Sequence, residues 1–107
     1  LFSDKRTING MKIGQYVQYT FREAFEQGLI SKNEIQKLQK ATYSKEKFGS
    51  NFEVLRLKSR TILDDEGRPR YYVKELFCEN YYLTSQWVES QWDIYVRWLK
   101  TIGYNSI

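Results

Sequence analysis

The sequence predicts an α+β domain in which N-terminal helices precede an antiparallel sheet of about three strands and a long C-terminal helix packs on the sheet. Three observations predict this class. Apolar residues recur with a helical period near both ends of the chain. Between these ends they alternate with the period of two that is typical of strands. Turn-forming residues separate the alternating segments. A winged-helix arrangement is the weaker option for the same order of elements.

The first half of the chain is predicted to be helical. Residues 13–27 carry apolar side chains at i, i+3, i+4 and i+7 without a break, and Gly28 follows where a left-handed C-terminal cap belongs. Ser31 and Glu34 match a capping box, which opens a second helix at about residues 32–41.

A third, shorter helical turn is predicted at residues 43–49. Ser44 suits its N-cap, and Gly49 suits its terminator. A chain of 107 residues without a repeat or linker is the size of one compact domain, so residues 1–107 are predicted to form a single one.

The second half is predicted to contain the sheet and the last helix. Strands are placed at residues 53–62, 70–78 and 81–84, and an acidic turn around Glu66 joins the first two. The final helix is placed at residues 85–102, where an apolar stripe includes all three tryptophans of the chain.

Cationic side chains are predicted to gather on one face of the first strand. Arg56, Lys58 and Arg60 occupy every second position, so in an extended strand they point the same way. Residues 37–60 hold seven cations against two acids, an excess of five. The net charge of the whole chain is +4, so the middle of the chain is basic and the remainder is balanced.

A hairpin centred near Glu66 would extend this basic face across two strands. It would pair Lys58 with Lys74 and Arg60 with Tyr72. Like charges that face each other across strands are destabilising, which indicates a bound anion. The predicted nucleic-acid-binding set is Arg56, Lys58, Arg60, Arg68, Arg70, Tyr72 and Lys74.

The leading interpretation is a non-catalytic accessory module that contacts nucleic-acid backbone. Lys and Arg side chains gain affinity for phosphates by counterion release, and phosphate contacts carry no sequence information. Tyr72 would stack on a base or sugar within the same row. Two other interpretations stay open: a solvated face that only keeps the sheet soluble, and a surface for an acidic protein.

A second candidate surface is the aromatic C-terminal region. Most of its rings are expected in the core, because a helix across a thin sheet needs large side chains to fill the gap. Trp87 and Trp98 lie at the margins of the helical stripe, and Tyr95 lies between them. If these rings are exposed, they predict a docking surface for another protein or another domain of the parent chain.

Catalysis and metal binding are not predicted for this domain. The chain has no histidine and one cysteine, so it lacks a nucleophile–histidine pair and a zinc set. No lysine stands two residues after an Asp or Glu, as metal-dependent nucleases often require. Asp64, Asp65 and Glu66 are interpreted as a solvated turn, with a cation site as the alternative. Cys78 is interpreted as a small buried residue rather than a reactive thiol. No cofactor is predicted.

The composition places the domain in the cytoplasm by default. No apolar stretch approaches the length of a membrane span, no secretory signal is visible, and no internal disulfide is possible. Because the sequence starts with Leu1 rather than Met, it is predicted to be an excerpt from the C-terminal part of a longer protein.

Several short motifs resemble a small C-terminal accessory domain of bacterial multidomain proteins, some of them restriction-type or uncharacterised nucleases. The motifs are YSK at 43–45, FG at 48–49, NFEVL at 51–55, RYY at 70–72 and YLTSQW at 82–87. The resemblance covers about residues 12–102 and consists of scaffold residues, with no catalytic set. It implies an accessory role beside a catalytic or motor domain elsewhere in the parent protein.

Overall fold

The computed structural model describes residues 7–8 and 10–104, and these residues form four α-helices and a two-stranded antiparallel sheet. The α+β class is therefore confirmed. The third predicted strand is not confirmed in this part of the chain. In chain order the elements are α1 (Ile13–Glu26), α2 (Lys32–Leu38), α3 (Ala41–Phe48), β1 (Leu55–Leu57), β2 (Tyr81–Leu83), a 3₁₀ turn (Glu89–Gln91) and α4 (Trp92–Thr101).

Helix α1 follows the prediction, whereas α2 is shorter than predicted and α3 begins two residues earlier than predicted. Helix α2 ends at Leu38 because Lys40 has an extended backbone and serves as the N-cap of α3. Ser44 consequently lies inside α3, where it is buried and its hydroxyl accepts the Val54 N–H at 3.0 Å. Gly49 ends α3 in the left-handed conformation, as predicted.

The pairing of the sheet differs from the predicted hairpin. Strand β1 pairs with β2, so that Leu55 faces Leu83 and Leu57 faces Tyr81. Around the acidic turn, antiparallel pairing is confined to the tip, where Leu63 bridges Pro69. The physical reason is burial: Leu55 and Leu83 are fully buried together, whereas the polar residues that follow β1 have little apolar surface to bury.

The predicted cross-strand pairs of cations are therefore wrong. The backbone N–H of Lys58 donates to Asn80 O at 2.9 Å, and the N–H of Tyr72 donates to Leu83 O at 2.9 Å. The second predicted strand thus contacts β2, through Tyr72 and an isolated bridge between Tyr71 and Thr84, instead of extending the hairpin.

The C-terminal helix begins later than predicted, at Trp92. The segment before it is extended at Val88, whose N–H donates to Gln91 Oε1 at 2.8 Å. The Trp87 indole N–H donates to Thr84 O at 2.8 Å, which holds that side chain against the end of β2.

The core is built largely from aromatic rings between three helices. Tyr95 on α4 is 1% exposed and lies within 6.5 Å, centroid to centroid, of rings from α1, α3 and its own helix. Trp98 stacks on Phe21 of α1 at 5.9 Å and meets Phe48 of α3 at 5.4 Å. The ring contacts of α4 thus join it to α1 and α3. Within residues 7–8 and 10–104, no helix combines the length and the apolar character that crossing a membrane requires.

Candidate nucleic-acid interface

Arg56 points into the molecule and clamps the loop that follows β1. The residue is 8% exposed, and its Nη1 donates to the carbonyl oxygens of Thr61 at 2.9 Å and Leu63 at 3.1 Å. Its Nη2 donates to Glu53 Oε1 at 3.1 Å. Its guanidinium carbon lies 4.4 Å from the centroid of the Tyr71 ring. The prediction that Arg56 lines an exposed face is wrong.

Arg56 is buried because the loop after β1 folds over the side of the strand that carries this residue. The alternation predicted Leu55 and Leu57 on the inner face, but Leu57 is 39% exposed while Leu55 and Arg56 are buried. Residues 58–63 turn back over the strand and offer two backbone carbonyls to the guanidinium. These carbonyl oxygens give the covered guanidinium the hydrogen-bond acceptors that it needs.

Arg70 is also held by other residues of the domain. Its Nε donates to Asp64 Oδ2 at 2.8 Å, and its Nη1 donates to Gln86 Oε1 at 2.9 Å. Its guanidinium carbon lies 5.4 Å from the centroid of the Phe52 ring. Arg70 therefore orients the loop and the Phe52 side chain.

The acidic turn is organised by one carboxylate. Asp64 Oδ1 accepts the backbone N–H groups of Glu66 at 2.8 Å and Arg68 at 2.9 Å. The Arg68 side chain is 60% exposed and forms ion pairs with Glu66 and, at 3.8 Å, with Asp64. No group of three or more Asp, Glu, Cys or His side chains placed to hold a metal ion occurs in the part of the chain that the structure describes.

The other predicted cations lie in solvent. Arg60 has a side chain that is 60% exposed, with Nη1 at 3.4 Å from Glu53 Oε2. Lys58 and Lys74 are exposed and form no ion pair with residues 7–8 or 10–104. Of the six predicted cations, four form ion pairs within the described part of the domain. Arg60 and Arg68 nevertheless stay exposed, as do Lys58 and Lys74, whereas Arg56 and Arg70 are largely covered.

Tyr72 lies beside α1 and is half-buried. Its hydroxyl oxygen is 2.8 Å from the point where a Cβ at Gly14 would stand, so the absence of a side chain at Gly14 makes room for it. Burial raises the pKa of the Tyr72 hydroxyl. The predicted row that joins Tyr72 to Arg60 does not form.

The aromatic docking surface predicted as the alternative is not exposed. Trp87, Tyr95 and Trp98 are 8%, 1% and 6% exposed, because their own domain covers them. Trp98 also donates its indole N–H to Glu34 Oε2 at 2.9 Å. These three side chains contribute to the core.

Three adjoining clefts form a concave surface that the sequence did not predict. The first, of about 490 Å³, lies between α2, α3 and α4 and is lined by Lys37, Lys47 and Arg97 among others. The second, of about 480 Å³, lies between the end of α3 and the start of α4. The third, of about 560 Å³, borders the acidic turn and includes Arg60. Ile94 lines the first two clefts.

The second and third clefts share Asn51 and Phe52 in their linings, so the three clefts are neighbours on the surface. We call this surface the cleft face. Lys45 also belongs to this region, because its Nζ donates to Asn51 Oδ1 at 3.0 Å.

The electrostatics of the first cleft favour an anion. Its two carboxylates are Glu34 and Glu46, and Glu34 Oε2 is turned toward the Tyr43 hydroxyl at 2.6 Å and the Trp98 indole. Burial and the hydrogen bond to Glu34 raise the pKa of Tyr43, so this hydroxyl stays a proton donor to the carboxylate.

The three cations of the first cleft are free of carboxylate partners. Lys37, Lys47 and Arg97 form no ion pair within the described ranges. Their signal in the sequence was the charge excess of residues 37–60, which included both lysines. Arg97 carried no signal of its own, because only the packing of α4 against α3 brings it beside Lys47.

Cys78 is buried, as predicted. It is 6% exposed, and burial raises the pKa of its thiol to about 12. At neutral pH the side chain is therefore a thiol, which is a poor nucleophile.

Three carboxylates with lowered pKa values make the free energy of unfolding depend on pH in the acidic range. For Glu53, burial raises the pKa, but hydrogen bonds led by the one from Arg56 outweigh burial and hold it below the ordinary 4.5. The backbone N–H of Arg68 and the side chain of Arg70 lower the pKa of Asp64 from 3.8. Arg22 lowers that of Glu75 from 4.5.

The expected result is a loss of stability on the acid side. A carboxylate with a depressed folded-state pKa stabilises the fold above its ordinary value, and this contribution is lost as the pH falls through the folded-state pKa. Urea unfolding between pH 7 and pH 2.5 should give a constant midpoint above about pH 5 and a falling midpoint below about pH 4.5. A midpoint that does not change across this range would contradict the assignment of these ion pairs.

Comparisons with models of known protein families, with curated proteins and with solved structures found no match to this chain.

Proposed function

We propose that this domain is a non-catalytic module that contacts the phosphate backbone of nucleic acid through the cleft face. The observation that supports this most directly is the first cleft, where Lys37, Lys47 and Arg97 lie together without carboxylate partners in the described part of the chain. Unpaired cations in a concave surface attract a chain of phosphates and release its counterions on binding.

The accessible members of the predicted set extend this proposal. Arg60 lines the third cleft beside the acidic turn, and its side chain, which is 60% exposed, remains a predicted phosphate contact. Lys58, Arg68 and Lys74 are exposed and remain predicted contacts outside the clefts. Arg56 and Arg70 take a different role, because they hold the loop that carries Arg60 and Arg68.

Contacts of this kind position a nucleic acid without reading its sequence. The proposed role is accordingly that of an accessory element, which holds nucleic acid for another domain. The resemblance to accessory domains of restriction-type proteins fits such a role and remains a prediction. Burial of Trp87, Tyr95 and Trp98 leaves the docking alternative without a surface at those residues.

The proposal is tested by measuring binding of fluorescently labelled single-stranded and duplex DNA by anisotropy across a salt series. About four phosphate contacts, made by the three cations of the first cleft and Arg60, predict a slope of log K against log salt of about −3 for single strands. No detectable binding at about 20 mM salt, or binding that does not change with salt, would overturn the proposal.

A further inference from the structure

The second cleft differs from the first in having an aromatic wall. Phe52 is half-buried and lines both the second and the third cleft, and Val88, which also lines the second cleft, is 58% exposed. Ile94 adds a further apolar side chain. The volume of about 480 Å³ lies within the range of small-ligand sites, roughly 300–1,000 Å³.

The Phe52 ring is held in place by a fixed cation. The Arg70 guanidinium, 5.4 Å from the ring centroid, is itself held by Asp64 at 2.8 Å and Gln86 at 2.9 Å. An aromatic side chain whose position is set before binding loses little conformational entropy when a planar ligand stacks on it. This arrangement is suited to a flat, polarisable ring.

Most polar side chains of the cleft are already engaged within the domain. Ser50 bonds to the Phe52 backbone, Asn51 Oδ1 accepts from Lys45, and Gln86 contacts Arg70 and Ser85. The exposed Ser90 hydroxyl and the Asn51 amide nitrogen remain to bond to the edge of a base whose face covers the Phe52 ring.

Positive charge flanks this cleft on the side of the first cleft. Ile94 lines both clefts, and Lys47 and Arg97 of the first cleft form no ion pair in the described part of the chain. The third cleft contains Arg60, but Arg60 contacts Glu53 and the acidic turn lines the same cleft. A strand whose base enters the second cleft therefore meets positive charge on one side, where a phosphate next to that base would lie.

We propose that the second cleft takes one unpaired base of a single-stranded nucleic acid, which stacks on Phe52. This inference rests on the proposed backbone contact and adds a preference for single strands over duplex. In a duplex the bases are paired and stacked, so none is available to enter without opening the helix.

The first arm of the test needs no variant. A single-stranded DNA oligonucleotide and an abasic oligomer of the same length, with the same sugar-phosphate backbone but no bases, are titrated against the intact domain at one salt concentration. The expected result is tighter binding of the base-containing strand by roughly tenfold, as for one stacked base. Equal binding of the two probes would overturn the base site while leaving the backbone contact intact. If neither probe binds, the proposed function fails together with the base site.

The second arm locates the base. Phe52→Ile keeps an apolar side chain but removes the ring, and it is expected to abolish the roughly tenfold preference for the base-containing strand without changing the affinity for the abasic oligomer. Tyr19→Ile, which removes a 41% exposed ring on α1 outside the three clefts, is the matched control and should keep the preference. A Phe52→Ile variant that is folded and retains the preference would overturn the assignment.

Discussion

The Arg56→Met variant is expected to be about 3–5 kcal/mol less stable to unfolding than the unmodified domain. Methionine fills similar space, but it leaves the half-buried Glu53 carboxylate without its cation and two loop carbonyls without their donor. Removal of one partner of a buried ion pair lowers the free energy of unfolding, because the remaining charge stays in a poorly solvated environment without its partner. The free energy of unfolding, measured by urea denaturation at pH 7, is the quantity to compare.

Arg60→Met is the matched control for this experiment. Arg60 contacts the same Glu53, but from a side chain that is 60% exposed and at 3.4 Å. Exposed pairs of this kind contribute at most about 1 kcal/mol. If Arg56→Met and Arg60→Met destabilise the domain equally, the structural role assigned to Arg56 is wrong.

The second large effect is expected on nucleic-acid affinity. Replacing Lys37, Lys47 and Arg97 together by glutamine removes three proposed phosphate contacts from the first cleft. Each phosphate contact to a single strand makes the binding constant fall with about the 0.7 power of the salt concentration. The loss of three such contacts should therefore lower the affinity at 0.1 M salt by about 100-fold. The slope of log K against log salt should become less steep by about 2.

The control variant removes the same number of positive charges at residues outside the cleft face. Lys12, Lys32 and Lys100 line none of the three clefts of the cleft face, and their joint replacement by glutamine also lowers the net charge by three. Affinity should fall far less than for the first triple variant. Equal losses would mean that the domain attracts DNA by net charge alone, without a defined surface.

The helical half of the fold was predictable because its signals are local. The apolar spacing in α1, the capping box before α2 and the left-handed Gly49 each depend on residues within one or two turns. The boundary between α2 and α3 was less predictable, since Ser44 resembles an N-cap in the sequence but uses its hydroxyl on Val54.

The sheet was not predictable from local pattern. Period-two alternation locates a strand but does not identify the strand that pairs with it. The predicted hairpin is therefore correct at its tip near Glu66, and the predicted pairing beyond the tip is wrong. Burial of Leu55 against Leu83 decides the pairing, and these residues are far apart in the sequence. The burial of Arg56 was not predictable from alternation either, because it depends on the loop directly after β1 folding back to supply carbonyl acceptors.

A basic surface was predictable from the sequence, but most of the residues that form the clefts were not. The charge excess of residues 37–60 identified a basic middle region, and Lys37 and Lys47 belong to it. The accompanying cation from α4, Arg97, becomes relevant only when the helices pack. Phe52, placed between two clefts, carried no signal in the sequence.

Amide chemical-shift changes in the ¹⁵N-labelled domain, mapped on addition of a single-stranded DNA oligonucleotide, would show which surface binds. We expect the largest changes at residues 45–52 and 94–97 and around Arg60, with small changes along α1. Changes concentrated on α1, or no changes at low salt, would contradict the proposal that the cleft face binds nucleic acid.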